Sequence, residues 1–467
     1  MQKFKINQKN NKMAGIAYYS TNLQSEKVSF KDALIKGQAP DKGLYMPDNI
    51  PTFSSEEIAA FKGKPYFEIA YAVISKFLKN EIHADDLYAI VKDAYNFDVP
   101  LENVYARNYI MRLDQGPTAS FKDFAARMMG RLMQYYLKKE NRSMLILTAT
   151  SGDTGSAIAN AFYGLDNIKV LILFPENEVT DRQRKQMTTL HENISVLALD
   201  GKFDDCQALV KQSFADKDLN NLGLSSANSI NIGRLIPQSV YYFWAFSQLS
   251  KSIDDKLVFS IPSGNFGNLM GGIIAHEMGL PVSKFVISTN DNNEVPVYFN
   301  EGYYKTIAPS KSCISSAMNV GHPSNMARIV ALYGGQMNEK GDILKSPDVS
   351  RLKKDMYAVS IDDSETRQTI KKVYEKHKVL LEPHGAVGFA GLHHFFNDNP
   401  TFNNPNQLTV SLETAHPAKF PIEIQQILGF DPELPKSLAN LENKEEKMVK
   451  INSTYEAFKN FLVSNYK

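Results

Sequence analysis

The chain has 467 residues, of which 43% are hydrophobic and 22% charged, and its formal net charge is +1. A single core stops growing at about 250 to 300 residues, so two or three domains are expected. The near-neutral balance and ordinary composition describe a globular protein and give nothing that favours a nucleic-acid partner.

Cys206 and Cys313 are the only cysteines. They are too few for a disulfide framework and lack zinc-site spacing, so no metal is expected and a reducing cytoplasm fits best. Residues 1–15 are rich in Lys, Asn and Gln and lack the apolar core of a secretory signal. Met1 and Met13 both remain open as the natural start. The longest apolar runs are strand-sized or amphipathic, so no membrane span is expected.

In chain order, residues 28–52 hold short apolar pieces broken by Gly37, Pro40, Gly43, Pro47 and Pro51, as in turns linking small elements. Helical periodicity follows at Tyr66–Leu78. A separate mixed domain is expected here, closing near Pro100 with a strand over Val104–Leu113. The segment Thr118–Lys139 reads as a helix with the apolar stripe Phe121, Phe124, Ala125, Met128, Met129, Leu132 and Tyr135. Lys122 stands near its N-terminus, where the helix dipole disfavours the cation and eases loss of its proton. A neutral amine is what Schiff-base chemistry requires. On its own, the same lysine reads as a snorkelling surface residue.

From Met144 the pattern becomes apolar strands separated by amphipathic segments. Strands are expected at Met144–Thr148, Lys169–Phe174, Ser195–Leu199, Leu257–Ile261 and Lys284–Ser288. Helices are expected at Ser156–Tyr163, Thr180–Leu190, Cys206–Phe214, Arg234–Leu249 and Leu269–Met278. This alternation predicts parallel βαβ units, whose ligands sit beyond the carboxyl ends of the strands. The last stretch, Leu438–Lys467, reads as a charged amphipathic surface helix.

Two strand-following turns and a third polar segment carry candidate chemistry. Thr150, Ser151, Asp153 and Thr154 open a helix, and their hydroxyls and amides either hold a carboxylate or cap the helix. Asn228, Ser229 and Arg234 precede another helix, where the arginine either binds phosphate or makes a surface salt bridge. Gly264, Asn265, Phe266, Gly267 and Asn268 form a glycine turn that is either a phosphate cradle or a plain connection. Neither a GxxxxGK loop nor an intact GxGxxG occurs, so one phosphate suits this turn better than a dinucleotide.

Taken in order, these segments resemble the threonine synthase family within the fold type II pyridoxal-phosphate enzymes. The resemblance rests on Gly116-Pro117-Thr118, Ser120-Phe121-Lys122-Asp123-Phe124, Thr150-Ser151-Gly152-Asp153-Thr154-Gly155, Asn228-Ser229-Ile230-Asn231, Gly264-Asn265-Phe266-Gly267-Asn268 and Thr414-Ala415-His416-Pro417-Ala418-Lys419-Phe420. Tyr19-Ser20-Thr21, Val28-Ser29-Phe30 and Gly43-Leu44-Tyr45 resemble the branch with an extra N-terminal domain.

The resemblance implies a tryptophan synthase beta-like α/β fold with two open twisted sheet domains and an additional N-terminal α+β domain. It divides the chain into residues 1–105, a large cofactor-binding domain over 106–143 and 235–467, and a small mobile domain over 144–234. It implies pyridoxal 5'-phosphate as cofactor, with Lys122 as the Schiff-base lysine, residues Gly264 to Asn268 on the cofactor phosphate, and Thr414 on the ring nitrogen. The neutral threonine would leave that nitrogen largely unprotonated. Thr150, Ser151 and Thr154 would meet the substrate carboxylate, and Asn228, Ser229 and Arg234 the phosphate of O-phospho-L-homoserine.

Asp153 departs from some relatives, which carry asparagine at the cofactor ring oxygen; an ionised aspartate cannot donate there. The activity implied is conversion of O-phospho-L-homoserine and water to L-threonine and phosphate, with phosphate elimination followed by hydration. The rival readings are a phospho-lyase releasing 2-oxobutyrate and a noncatalytic metabolite-binding homologue. Neither nucleic acid nor membrane is expected as a partner, and the chain is a monomer or homodimer. His322, His384, His416, Glu382 and Glu413 are assigned no chemistry.

Overall fold

The computed structural model describes residues 15–467; Met1 and Met13 lie outside the described residues. Two parallel sheets dominate. The larger has six strands in the order Met356–Ser360, Val282–Thr289, Leu257–Pro262, Thr409–Glu413, Asn108–Arg112 and Leu101–Tyr105. Its neighbours are parallel except the final pair. That pair corrects the single strand expected over Val104–Leu113: Ala106, at φ 46°, turns the chain, and Leu101–Tyr105 folds back on Asn108–Arg112.

The smaller sheet has five strands in the order Val449–Asn452, Ile194–Asp200, Ile168–Pro175, Met144–Ala149 and Leu224–Ser225, all parallel. Its central strands are Val, Ile and Leu runs buried on both faces, as expected of a sheet covered by crossover helices. The five strands expected from sequence all form, most with a residue or two more at an end.

The C-terminal stretch departs from the expected single surface helix. Val449–Asn452 pairs with Ile194–Asp200, and Phe458 and Leu462 of the helix Tyr455–Tyr466 join the apolar cluster over this sheet. Residues 449–467, read at sequence level with the large domain, therefore pack on the smaller sheet. The helix expected at Arg234–Leu249 also starts differently, as two 3-10 turns before Val240–Leu249, with Pro237 inside the second.

The N-terminal region combines the strand pair Tyr18–Ser20 and Tyr45–Pro47 with four helices, Phe30–Lys36, Ser55–Ala59, Tyr66–Leu78 and Ala84–Ala94. It shares its core with the rest of the chain. Tyr66 meets Phe124 and Trp244 with ring centroids 5.5 and 5.7 Å apart, a separation typical of favourable aromatic pairs. Phe30–Lys36 abuts the loop after Leu224–Ser225: the Asn231 side-chain amide donates to Leu34 O at 2.8 Å, and Ser225 Oγ to Ile35 O at 2.8 Å. No described helix is long and apolar enough to cross a membrane.

Candidate active site

The turns at the carboxyl ends of strands from both sheets meet around a cavity of about 530 Å³. Every residue singled out from sequence lines it: Lys122, Thr150, Ser151, Asp153, Thr154, Asn228, Ser229, Arg234, Gly264, Asn265, Phe266, Gly267, Asn268 and Thr414.

Lys122 is the first residue of the helix Lys122–Glu140, whose opposite, C-terminal end carries Lys138 and Lys139. The helix is buried almost all round, which fixes the lysine's place. Its side chain is only 13% exposed. Burial lowers its pKa; Asp153 opposes that shift, while Lys419 and Arg234 reinforce it. A larger fraction of neutral amine follows.

Asp153 sits between two lysines, with Oδ2 3.7 Å from Lys122 Nζ and Oδ1 2.5 Å from Lys419 Nζ. The Gln183 side chain donates to Oδ1 at 2.9 Å. Burial alone would raise this carboxyl, yet Lys419 and Lys122 hold it well below the usual carboxylate range. An aspartate held this way accepts hydrogen bonds and does not donate them. Lys419 was quoted in a motif but given no role; the signal was a lysine inside an otherwise apolar turn. It is fully buried and also donates to Thr118 O at 3.0 Å.

The glycine turn opens the helix Gly267–Glu277, with Phe266 in the left-handed region at φ 61°. Among the described residues, the backbone amides of Asn265, Phe266, Gly267 and Asn268 donate to no protein acceptor. Four open amides at a helix start form an anion cradle. Gly264 lets the chain pass closely, since a Cβ there would lie 2.8 Å from Ala317 O and 3.0 Å from Met318 Cα.

The turn before the helix Asp153–Phe162 is braced from within: Thr150 Oγ1 accepts from the amides of Gly152 and Gly155 at 2.9 and 2.8 Å. The Thr150 hydroxyl is occupied as an acceptor and keeps its proton to donate, so Thr150, Ser151 and Thr154 all offer hydroxyl donors to an anion. On the third loop, Arg234 is 4% exposed, and its Nη1 donates to Ala227 O at 2.6 Å. Its Nε and the Asn228 Oδ1 are buried without partners. Burial pulls the guanidinium down to about 10, opposed by Asp123 and Tyr241, so it stays charged at neutral pH. The unsatisfied guanidinium donor asks for a ligand.

Thr414 is not backed by apolar residues. Its hydroxyl donates to Glu382 Oε1 at 3.3 Å, and Glu382 Oε2 lies 2.5 Å from His384 Nδ1. His384 Nε2 accepts from the Ala317 amide at 3.0 Å and lines the cavity. Glu413 lies behind, raised well above its ordinary pKa by burial and by Glu382. Glu382 was given no chemistry because it reads equally as an orienting or a capping group. It is a cap, accepting from the amides of His384 and Gly385, and it also takes the threonine's proton.

The donor set fits pyridoxal phosphate: a buried amine of lowered pKa faces the same cavity as an open four-amide cradle and a hydroxyl suited to a ring nitrogen. A family model described as pyridoxal-phosphate dependent enzyme matches residues 99–400, and the chain is a pyridoxal-phosphate-dependent enzyme of fold type II. Models described as threonine synthase N terminus and threonine synthase, C-terminal, match residues 17–95 and 385–462. The threonine synthase of Escherichia coli is 39% identical over 422 residues, covering 90% of this chain and 93% of that one. That of Buchnera aphidicola from Acyrthosiphon pisum is 38% identical, covering 95% and 99%. A solved structure of PLP-bound threonine synthase from Brucella melitensis superposes with a TM-score of 0.90 at 34% identity, covering 97% of this chain and all of that one. The chain belongs to the threonine synthase family.

Proposed function

We propose that the chain converts O-phospho-L-homoserine and water to L-threonine and phosphate, the last step of threonine formation. The observation that carries this reading is the second anion site. Arg234, whose Nε is buried and unpartnered, lines the same cavity as Lys122 and the glycine cradle, with Asn228 and Ser229 beside it. One phosphate belongs to the cofactor, and the other site calls for a phosphorylated substrate. A dehydratase acting on serine or threonine has no use for it.

In this reading the amides of residues 265–268 hold the cofactor phosphate, Lys122 holds its carbonyl carbon, and Thr414 stands at its ring nitrogen. When bound, pyridoxal phosphate supplies an electron sink for charge developed next to the substrate's amino carbon. Lys122, once free of the cofactor, would be the base for the Cα proton, and its lowered pKa makes neutral amine available for this. Ser151 and Thr154 hold the carboxylate, which orients Cα toward Lys122. Arg234, Asn228 and Ser229 hold the phosphate that leaves Cγ, and Arg234 neutralises the charge that builds on it. Asp153 keeps an anion beside Lys122 while the lysine carries a proton. The Thr414 hydroxyl, directed to Glu382 at 3.3 Å, would turn to donate to the unprotonated ring nitrogen.

Product analysis tests the reading: phosphohomoserine should yield threonine, whereas 2-oxobutyrate would establish the phospho-lyase alternative. Borohydride reduction of the PLP-loaded protein should fix the cofactor on Lys122, and labelling of another lysine would remove Lys122 from its role. The Lys122→Ala protein should lose turnover by at least about a thousandfold. The two buried free cysteines suit a reducing compartment, and we place the activity in the cytoplasm.

A further inference from the structure

Behind the second anion site lies an arginine that the reaction as described does not use. Arg328, in the helix Met326–Leu332, is fully buried. Among the described residues it has no carboxylate within ion-pair distance. Its guanidinium is instead spent on backbone. Nε donates to Tyr45 O at 3.1 Å, Nη1 to Ser229 O at 3.0 Å and to Asn325 Oδ1 at 2.7 Å, and Nη2 to Ile230 O at 2.6 Å. Asn325, also fully buried, turns its amide to two loops at once, donating to Asn265 O at 2.8 Å and Ser229 O at 3.4 Å. The two loops are in touch, since a Cβ on Gly267 would lie 3.5 Å from the Ser229 Cβ.

We propose that Arg328 is a positioning residue for the substrate's phosphate, and that Asn325 locks the substrate-phosphate loop to the cofactor-phosphate loop. The inference rests on the assignment of those loops given above. An isolated buried cation is costly, and a packed apolar side chain would fill the same space more stably. What an apolar side chain does not do is hold carbonyls. Carbonyl oxygens facing a phosphate repel it; Arg328 draws the lone pairs of Ser229 and Ile230 to itself and leaves the Asn228, Ser229 and Arg234 side to the anion. Its planar fork fixes two successive peptides together, which a lysine's single ammonium cannot reproduce. Burial pulls Arg328 down to about 9, with Tyr19 opposing, so it adds a positive charge behind the loop at neutral pH. The bond to Tyr45 O ties the same arginine to the N-terminal strand pair, so three parts of the chain converge on one guanidinium.

The two residues make different contacts, and their variants should behave differently. With PLP-loaded protein, Arg328→Lys should raise the KM for phosphohomoserine about tenfold or more, the loss expected when one or two charge-assisted hydrogen bonds go. The dissociation constant for inorganic phosphate, read from thermal protection of the loaded protein, should rise in parallel. kcat and PLP affinity should stay within about threefold, as expected when only ground-state binding is lost. Asn325→Ala, which frees Asn265 O as well, should weaken both PLP and phosphohomoserine.

Wild-type KM and phosphate affinity in folded Arg328→Lys protein would overturn the proposal for Arg328. Unchanged PLP affinity in Asn325→Ala would overturn the lock. If Arg328→Lys does not fold, Asn325→Ala decides; failure of both to fold would also overturn it, since the residues would then serve the whole fold rather than the loop. Should the wild-type protein make no threonine, the activity assignment fails, while the phosphate measurement still reads the positioning role.

Discussion

Asp153 lies between the ammonium groups of Lys122 and Lys419, and this small charge cluster sets how the amine behaves. Replacing the aspartate with asparagine removes the one with the larger effect of the two anions, Asp153 and Glu382, that raise the Lys122 pKa. The Asp153→Asn apoprotein should therefore take up PLP at lower pH than wild type, seen as a shift in the pH profile of visible absorbance; an alkaline shift would contradict the charge assignment. The same change strips buried Lys419 of its partner, at a cost of about 3 kcal/mol.

His416 offers a second titration. Burial, with Arg112 and Lys419 nearby, pulls it down to about 4. The unfolded chain binds this proton from about pH 6.5 downward and the folded chain does not, so stability falls as pH drops through that window. Between pH 7 and 5, urea unfolding of wild type should lose about 2 kcal/mol that His416→Gln protein keeps. Both effects concern residues whose identity is plain in the sequence but whose neighbours come from distant segments.

At the scale of elements, the cradle and the C-terminal strand make opposite demands. Gly264 is required by proximity: Gly264→Ala would push a Cβ against the backbone of Ala317 and Met318. That change should weaken PLP binding about tenfold or more in an absorbance titration, with little loss of secondary structure. The C-terminal segment instead contributes burial. Removing residues 449–467 uncovers the neighbours of Phe458 and Leu462 and leaves Ile194–Asp200 at the sheet edge. A loss of roughly 3 to 6 kcal/mol follows from two large side chains.

Trp244, the single tryptophan, is packed against Tyr66 in a different apolar cluster from the one that holds Phe458 and Leu462. After truncation, circular dichroism should fall at a urea concentration where Trp244 emission is still native, and coincident transitions would deny the two sheets separate stability. The expected surface helix missed the strand because Val449-Lys450-Ile451-Asn452 is too short and too polar to announce one. Its strand state comes from pairing with Ile194–Asp200.

Across the whole molecule, the cavity is shared between turns of the larger sheet, which bring Gly264–Asn268 and Thr414, and turns of the smaller, which bring Thr150–Thr154. Phosphohomoserine should accordingly slow hydrogen exchange in residues 150–156, on the smaller sheet, as well as at the cradle; protection confined to the cradle would argue against ligand-driven approach of the two sheets.

By itself the sequence determined the parallel α/β plan, because apolar runs of strand length between amphipathic segments have few other ways to be buried. It also singled out turns that the fold brings to one cavity, since Lys122, the glycine turn and the Asn228 to Arg234 loop are recognisable from residue type and position. Tertiary structure alone decided that Asp153 is held ionised by Lys419, that Thr414 is backed by Glu382, that residues 449–467 complete the smaller sheet, and that Arg328 grips the carbonyls of Ser229 and Ile230. The physical reason is common to all four. Charge state, hydrogen-bond direction and strand pairing depend on what is within about 3 to 5 Å, and those neighbours lie tens to hundreds of residues away along the chain.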